Sequence, residues 1–262
     1  MHDSTATLPL GRRQAIADRL MRGEAVNATA LSNEFEISED AIRRDLRALA
    51  AEGVCRRVYG GALPISPASA PMRVRQVEQG DRKAALARTG VDLIGASRTL
   101  FLDTGSTILS LAGFLPRDLG LTVVTNSIAV AAVLADRTDL DLVMIGGAVD
   151  PITGGCVSAR ALGELQRYRI DLCFLGACAL SVDDGLAGFE MADVDFKRAL
   201  IEVSEQTILM MLNPKLETTA PHRIGRIDAI DHLILEADAP TQLFDRLQGV
   251  GPSIHRAETA HD

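Results

Sequence analysis

The chain predicts an α/β fold carried behind a small helical head, and three observations predict it. Up to Ala62 the sequence reads as three helical segments followed by a short basic hairpin. A stretch holding three prolines and two serines in nine residues comes next, LPISPASAP from Leu63 to Pro71. Beyond it, short aliphatic runs alternate with helical patterns, the arrangement of an open, mostly parallel sheet with helices on both faces. The limits read from this pattern are residues 9–64 for the head, 65–71 for a Pro-rich linker and 72–250 for the sheet domain. At 262 residues and 47% hydrophobic content the chain is long enough for two filled cores. With no Trp and 3% aromatics, those cores are aliphatic.

Taken in order, Arg12 to Arg22 forms a first helix with Ile16 and Leu20 inward, and Thr29 to Phe35 a second with Leu31 and Phe35 inward. A turn through Glu36 and Ile37 leads into the stretch that organises the head, ISEDAIRRDLRALAAEGVCRRVYGGA. Ser38 caps a third helix whose first turn carries Glu39 and Asp40. Ile42, Leu46 and Leu49 make its apolar stripe, which leaves Arg43, Arg44 and Arg47 to project from the other side. Guanidiniums on such a face suit phosphates and guanine edges in a DNA major groove, because each is a planar bidentate donor. Solvated surface charge, neutralised by Glu39, Asp40, Asp45 and Glu52, reads the same residues without DNA. The order of the elements, with the Arg-bearing helix last, favours a helix-turn-helix. Gly53 ends the helix, and Val54 to Val58, with Arg56 and Arg57, turns at Gly60 and Gly61 as a small basic wing.

These residues resemble a known family. Arg12, Arg13, Ile16, Leu31, Ile37-Ser38, Ile42-Arg43-Arg44-Asp45-Leu46, Leu49, Gly53 and Gly60-Gly61-Ala62 are similar to the winged helix-turn-helix of DeoR-family bacterial transcriptional regulators. The resemblance implies that Ser38, Arg43, Arg44, Arg47 and Arg57 form the contact with double-stranded operator DNA, and that Asp45 orients a neighbouring Arg. Ala41 stands where the family often has Thr.

Charge and cysteines limit the alternatives. The net charge of -8 lies entirely beyond the head, since residues 1–62 hold 9 Arg and 9 acids. Local basicity on the third helix and wing must therefore attract phosphate. Met1 to Leu8 lacks the pattern of an export signal, and no apolar run reaches spanning length, so the expectation is a cytoplasmic protein with no membrane partner. Cys55, Cys156, Cys173 and Cys178 show no CxxC spacing and read as reduced structural thiols, while His2, His222, His232, His255 and His261 show no metal spacing and read as solvated. No metal site, catalytic residue or cofactor is expected.

In the second domain, Arg73 to Ile94 is helical with interruptions expected at Gly80 and Gly90. Strands follow at Thr99 to Leu102, Leu121 to Thr125, Leu140 to Ile145, Asp171 to Leu175, Thr207 to Leu212 and His232 to Leu235. Ligands bind outside the carboxyl ends of such strands. Those ends read Asp103-Thr104-Gly105-Ser106-Thr107, Thr125-Asn126-Ser127 and Gly146-Gly147, each short and polar, and the first opens a helix whose N-terminus suits an anion. Any one of them reads equally as a helix cap or turn.

Lys83, Leu102 to Thr107, Val124 to Ser127, Ile145 to Gly147, Asp171, Phe174 to Gly176, Gly185, Lys197-Arg198 and Lys215 are similar to the effector-binding domain of the same family. Its fold resembles that of ribose-5-phosphate isomerase, and the resemblance implies a phosphorylated sugar as effector. Gly105, Ser106 and Thr107 would hold the phosphate, Asp103 and Asn126 the sugar hydroxyls, and Lys215 the charge. Thr125, Ser127, Gly146 and Gly147 complete the candidate effector site. The chain departs from the family at Asn213-Pro214, where Ser commonly precedes the lysine, and at Leu235-Glu236, commonly Thr-Asp. Lys197 and Arg198 follow Asp193 and Asp195 in a helical stretch, where an i,i+4 surface pair reads at least as readily as ligand contact, and Asp171 reads as a structural hydrogen-bond hub.

The leading reading is a ligand-responsive DNA-binding regulator, a repressor of a carbohydrate operon, acting as a homo-oligomer (dimer or tetramer). The alternative is a sugar-phosphate isomerase or deaminase with a fused DNA-binding domain, for which Asp103 and Lys215 could serve. A third is a DNA-binding oligomer with a degenerate pocket.

Overall fold

The structure, a computed structural model, describes residues 9–21, 24–66 and 71–258. Its head contains α1 (Pro9–Met21), β1 (Val26–Asn27), α2 (Ala28–Phe35), α3 (Glu39–Ala51), β2 (Cys55–Val58) and β3 (Gly61–Pro64). The Asn27 side chain caps α2, Glu36 ends it in the left-handed conformation, and Ser38 Oγ accepts from Ala41 N at 3.4 Å to start α3. Ile16, Leu20, Leu31, Phe35, Ile42, Leu46 and Leu49 meet in one small core. Asp45 faces inward on α3 and takes Arg12 Nε at 2.7 Å, which ties the first helix to the third. The wing has three strands, because β1 pairs with β3 on the side opposite β2.

The residues expected to be a loose linker begin as ordered backbone. Pro64 pairs with Cys55 inside β3, and the ladder continues as Thr219 N–H donates to Pro64 O (3.0 Å) and Ser66 N–H to Thr219 O (2.9 Å). Residues 67–70 of that stretch lie outside the described residues. Proline content suppresses helix here without preventing extended pairing.

The second domain runs α4 (Met72–Arg75), α5 (Gly80–Asp92), β4 (Thr99–Leu102), α6 (Ser106–Phe114), β5 (Thr122–Thr125), α7 (Ile128–Leu134), β6 (Asp141–Met144), β7 (Val149–Asp150), β8 (Gly155–Cys156), α8 (Ala159–Leu165), β9 (Ile170–Leu175), β10 (Ala179–Ser181), β11 (Gly185–Gly188), α9 (Met191–Val203), β12 (Ser204–Met211), β13 (His222–Gly225), β14 (His232–Leu235), α10 (Thr241–Leu247) and β15 (Ser253–Arg256). Seven strands form a parallel sheet in the order β15-β14-β12-β9-β4-β5-β6. The six aliphatic runs all enter this sheet. The seventh strand, β15, lies past residue 250, where the domain was expected to end. Its Ser-Ile-His-Arg sequence is too polar to read as a buried run because it forms an exposed edge. A small antiparallel sheet, β10-β11-β13, sits beside the main one.

Of the two interruptions expected in this stretch, the one at Gly80 is present, residues 76–79 parting α4 from α5, and the one at Gly90 needs correction. Gly80 opens the helix, and Gly90 lies inside it; a Cβ at Gly90 would come within 2.8 Å of Leu111 and 3.0 Å of Met210, so the glycine permits close packing of α5 on α6 and the sheet. Asp171 is the hub it was read as, accepting from Arg98 N at 2.7 Å and Thr99 N at 2.9 Å.

Candidate functional site

Two cationic regions stand out, one on each domain. On the head, Arg43, Arg44 and Arg47 are exposed along α3 and Arg57 is exposed on the wing. Arg43 pairs with Glu39 at 2.7 Å, an exposed i,i+4 contact worth only a few tenths of a kcal/mol, about 0.3–0.5, and easily exchanged for a phosphate. Tyr59, fully exposed at the wing tip, was not read from sequence. Arg56, next to Arg57, points the other way, toward the sheet domain.

The second region is a cleft at the carboxyl ends of β4 and β9. Gly105 adopts φ 154° and leads into α6, whose first residues, Ser106 and Thr107, present a helix N-terminus to the opening. About 450 Å³ of space, partly open to solvent, lies among Thr104 to Ile108, Gly176, Cys178, Asp193, Lys197 and Lys215, with Arg75 at the rim. A contiguous hollow toward Lys83 and Pro214 shares Arg75, Ser106 and Lys215. Gly176 is required by closeness: a Cβ there would stand 2.3 Å from Thr104 O, so only glycine lets the end of β9 press on the loop.

For Lys197 a surface i,i+4 pair stood beside ligand contact; the pair with Asp193 forms, but it is buried rather than on the surface. The Lys197 side chain is 2% exposed and its Nζ lies 2.8 Å from Asp103 Oδ2, 2.7 Å from Asp193 Oδ1 and 3.3 Å from Thr104 Oγ1. Burial opposes its charge, but the two carboxylates outweigh that and hold its pKa above the usual lysine value, so it stays an ammonium. Burial pushes Asp193 up within the same cluster. Lys215 is in the opposite situation. Its Nζ donates to Ala177 O at 3.1 Å with burial and the neighbouring Arg75, Lys83 and Lys197 charges lowering its pKa to about 8. Lys83 is also lowered, by burial, while donating to the Arg75 and Glu78 carbonyls.

The remaining expected effector residues divide. Gly105, Ser106, Thr107 and Lys215 share the cleft. Asp103 does not line it: it is fully buried, with Oδ2 taken by Lys197 and by Gly176 N at 2.9 Å, and Asp193 is the carboxylate at the surface of the cleft. Thr125 and Ser127 serve backbone. Thr125 Oγ1 donates to Leu102 O at 2.6 Å and accepts from Ser127 N at 3.0 Å, and Ser127 caps α7. Asn126 is fully buried, its Nδ2 donating to Cys156 O at 3.4 Å, with its Oδ1 unpartnered. Gly146 and Gly147 are exposed beyond β6 beside Ser158 and Tyr168, in a separate hollow. The third strand end is one sheet position further out, which sequence order conceals.

The two departures from the expected pattern meet each other. Asn213 N–H donates to the Glu236 carboxylate and its side chain to Asp238 Oδ1 at 2.8 Å, while Arg82 pairs with Glu236 and Asp238. They brace the turn that carries Lys215. Glu190 precedes α9 and stays outside the lining. His232 and His255, read as solvated, contact each other at 3.1 Å across β14 and β15, and among the described residues no group of three His, Cys, Asp or Glu could hold a metal. Among those residues, too, no helix is long and apolar enough to cross a membrane.

Comparison with known proteins agrees with both halves. The family model of the DeoR-like helix-turn-helix domain matches residues 12–68, and that of the DeoR C terminal sensor domain matches residues 78–237. The glycerol-3-phosphate regulon repressor of Escherichia coli is 30% identical over 237 residues, covering 90% of this chain and 94% of that one. The L-fucose operon activator of Escherichia coli is 29% identical over 227 residues, covering 85% and 93%. Ribose 5-phosphate isomerase A from Neisseria gonorrhoeae aligns with 53% of this chain and 55% of its own at 16% identity and a TM-score of 0.38.

Proposed function

The chain belongs to the DeoR family of transcriptional regulators, and we propose that it represses a carbohydrate-metabolism operon until a phosphorylated sugar or polyol occupies the cleft. The carrying observation is the meeting of the α6 N-terminus with Lys215 and Lys197 in one cleft, since backbone dipole and ammonium together favour a phosphate monoester. In this reading Gly105, Ser106, Thr107 and Lys215 take the phosphate, and Asp193 meets a hydroxyl. Asn126, fully buried with a spare Oδ1, stands outside the lining of the cleft and takes no part in this reading. Ser38 positions α3, whose Arg43, Arg44 and Arg47 read operator DNA beside Arg57 of the wing.

The isomerase or deaminase alternative needs a free base. Asp103 is sealed by Lys197, and Asp193 is held by the same ammonium, which favours binding over turnover. The relatives are named for control of glycerol-3-phosphate and L-fucose genes, one as a repressor and one as an activator, so the sign is proposed from the first. Such a regulator acts in the cytoplasm as a homo-oligomer, because one head of this size reads only a half-site, and it needs no cofactor beyond its effector. The test selects a duplex from a random library with the full chain, then adds glycerol 3-phosphate and hexose phosphates one by one in a gel shift. A phosphorylated compound that releases the duplex, with its unphosphorylated parent inert, is expected. Release by none, or equally by both, removes the reading.

A further inference from the structure

The wing is fastened to the sheet domain by more than the chain. Asp184, in the turn between β10 and β11, has a side chain only 10% exposed and gathers three donors: Arg56 Nη1 at 3.2 Å, Arg223 Nη2 at 2.6 Å and Thr219 Oγ1 at 3.0 Å. Arg56 also donates to Ala220 O at 3.1 Å. Thr219 is the residue that ladders with Pro64 and Ser66, and Ser66 Oγ donates to Cys178 O at 2.5 Å. The same short segment reaches the cleft. Thr218 Oγ1 donates to Lys215 O at 2.7 Å, and Lys215 Nζ to Ala177 O, the neighbour of Cys178. Both segments that meet at Lys215, Ala177–Cys178 and Lys215–Ala220, therefore also hold the root of the wing.

We infer that the segment Lys215 to Ala220, latched to the wing by Arg56 and Asp184, is the element through which occupancy of the cleft repositions the DNA-reading head. The inference rests on the reading of the cleft as an anion site. An anion entering beside Ser106 draws the Lys215 ammonium from Ala177 O. The turn behind it is stiffened by Pro214, and the segment is bonded at both ends, so little slack absorbs the shift before Thr219 and the Pro64–Ser66 ladder. Two arrangements, latched and released, that the ligand and DNA favour unequally are sufficient for coupling. Arg56 serves the latch and Arg57 the DNA, which accounts for adjacent arginines facing opposite ways.

Hydrogen exchange on the full chain, with and without saturating inorganic phosphate and, in parallel, glycerol 3-phosphate, tests this. In the unaltered chain, exchange should change in peptides covering 105–108 and also in those covering 55–66, the latter by about fivefold or more, the lower end of ordinary coupling. In Arg56→Gln and in Asp184→Asn the 105–108 response should remain while the 55–66 response is lost, and Arg56→Lys, which keeps the charge, should restore it. A cleft response with no wing response in the unaltered chain overturns the inference and leaves the cleft reading intact. So does a wing response that survives Arg56→Gln, or one that Arg56→Lys fails to restore. Silence at 105–108 with both probes overturns the cleft reading, and this inference with it.

Discussion

Arg44 and Lys197 are both cations on helices, yet the protein treats them in opposite ways. Arg44 and its neighbours on α3 stand in water, where pairing with Glu39 costs little to form and little to break. Lys197 is buried between two carboxylates and a hydroxyl, where its charge persists only because those partners are fixed around it. The comparison teaches that one domain keeps its charge available for a large polyanion, and the other has spent desolvation to hold a small cleft in one shape. Lys215 falls between the two, desolvated but with a carbonyl in place of a carboxylate.

The largest effect expected from breaking the head alone follows from the triple change of Arg43, Arg44 and Arg47 to Ala. Each base-reading Arg is worth about 1–3 kcal/mol, so the triple variant should lose at least about a hundredfold in affinity for its selected duplex. Thermal midpoint and the response to cleft ligands should not move. A duplex bound as tightly as before would show that α3 does not read DNA.

Replacing Lys197 by Met sharpens the contrast from the other side. It leaves Asp103 and Asp193 buried without a counter-charge, and breaking such a cluster costs about 3–5 kcal/mol, whereas Arg44→Met should stay within about 0.5 kcal/mol. The deficit in Lys197→Met should shrink as pH falls, since protonation relieves the stranded carboxylates. Urea unfolding of both variants at neutral and mildly acid pH measures this, and equal losses for the two would dissolve the distinction.

The difference in burial also decides what the sequence could reveal. The head was legible because its code is local: Ile42, Leu46 and Leu49 on one face of α3 leave the arginines on the other, and Ser38 sits where the cap must be. Five of the six aliphatic strands were legible for a related reason, being largely buried within the sheet, and the sixth, the edge strand β6, through its aliphatic Leu142 and Val143. The cleft was only half legible. The loop at Gly105 to Thr107 shows itself as small residues between a strand and a helix. Lys197 lies more than ninety residues from Asp103 and at helical spacing from Asp193, so local rules favour a surface pair. The three strand ends read as one site, but only the first opens into the cleft. The second spends its hydroxyls on backbone, and the third is an outer strand. The linker misled for a similar reason: composition reports what proline prevents, and the partner of Pro64 and Ser66 is Thr219, far along the chain.

The smallest predicted effect concerns Lys215. Burial and neighbouring cations place its pKa at about 8, below its ordinary value. In the free protein the cost of holding that ammonium is fully present below pH 8 and is relieved as pH rises toward the unfolded value, so Lys215→Gln should stabilise the ligand-free chain at neutral pH. A phosphate in the cleft reverses the preference, because it favours the charged form and draws a proton in on binding. Affinity for a phosphate ester should therefore be greatest between the ester's second pKa, near ~6, and about 8, and fall by about tenfold per pH unit on the alkaline side. Lys215→Gln should flatten that alkaline limb and lower affinity modestly at neutral pH. Lys197, held above the usual value by two carboxylates, contributes no limb in this range. Calorimetric titration of the unaltered and Lys215→Gln chains across pH 6–9 resolves the two lysines, and an alkaline limb that persists in the variant would show that Lys215 does not carry the ligand's charge.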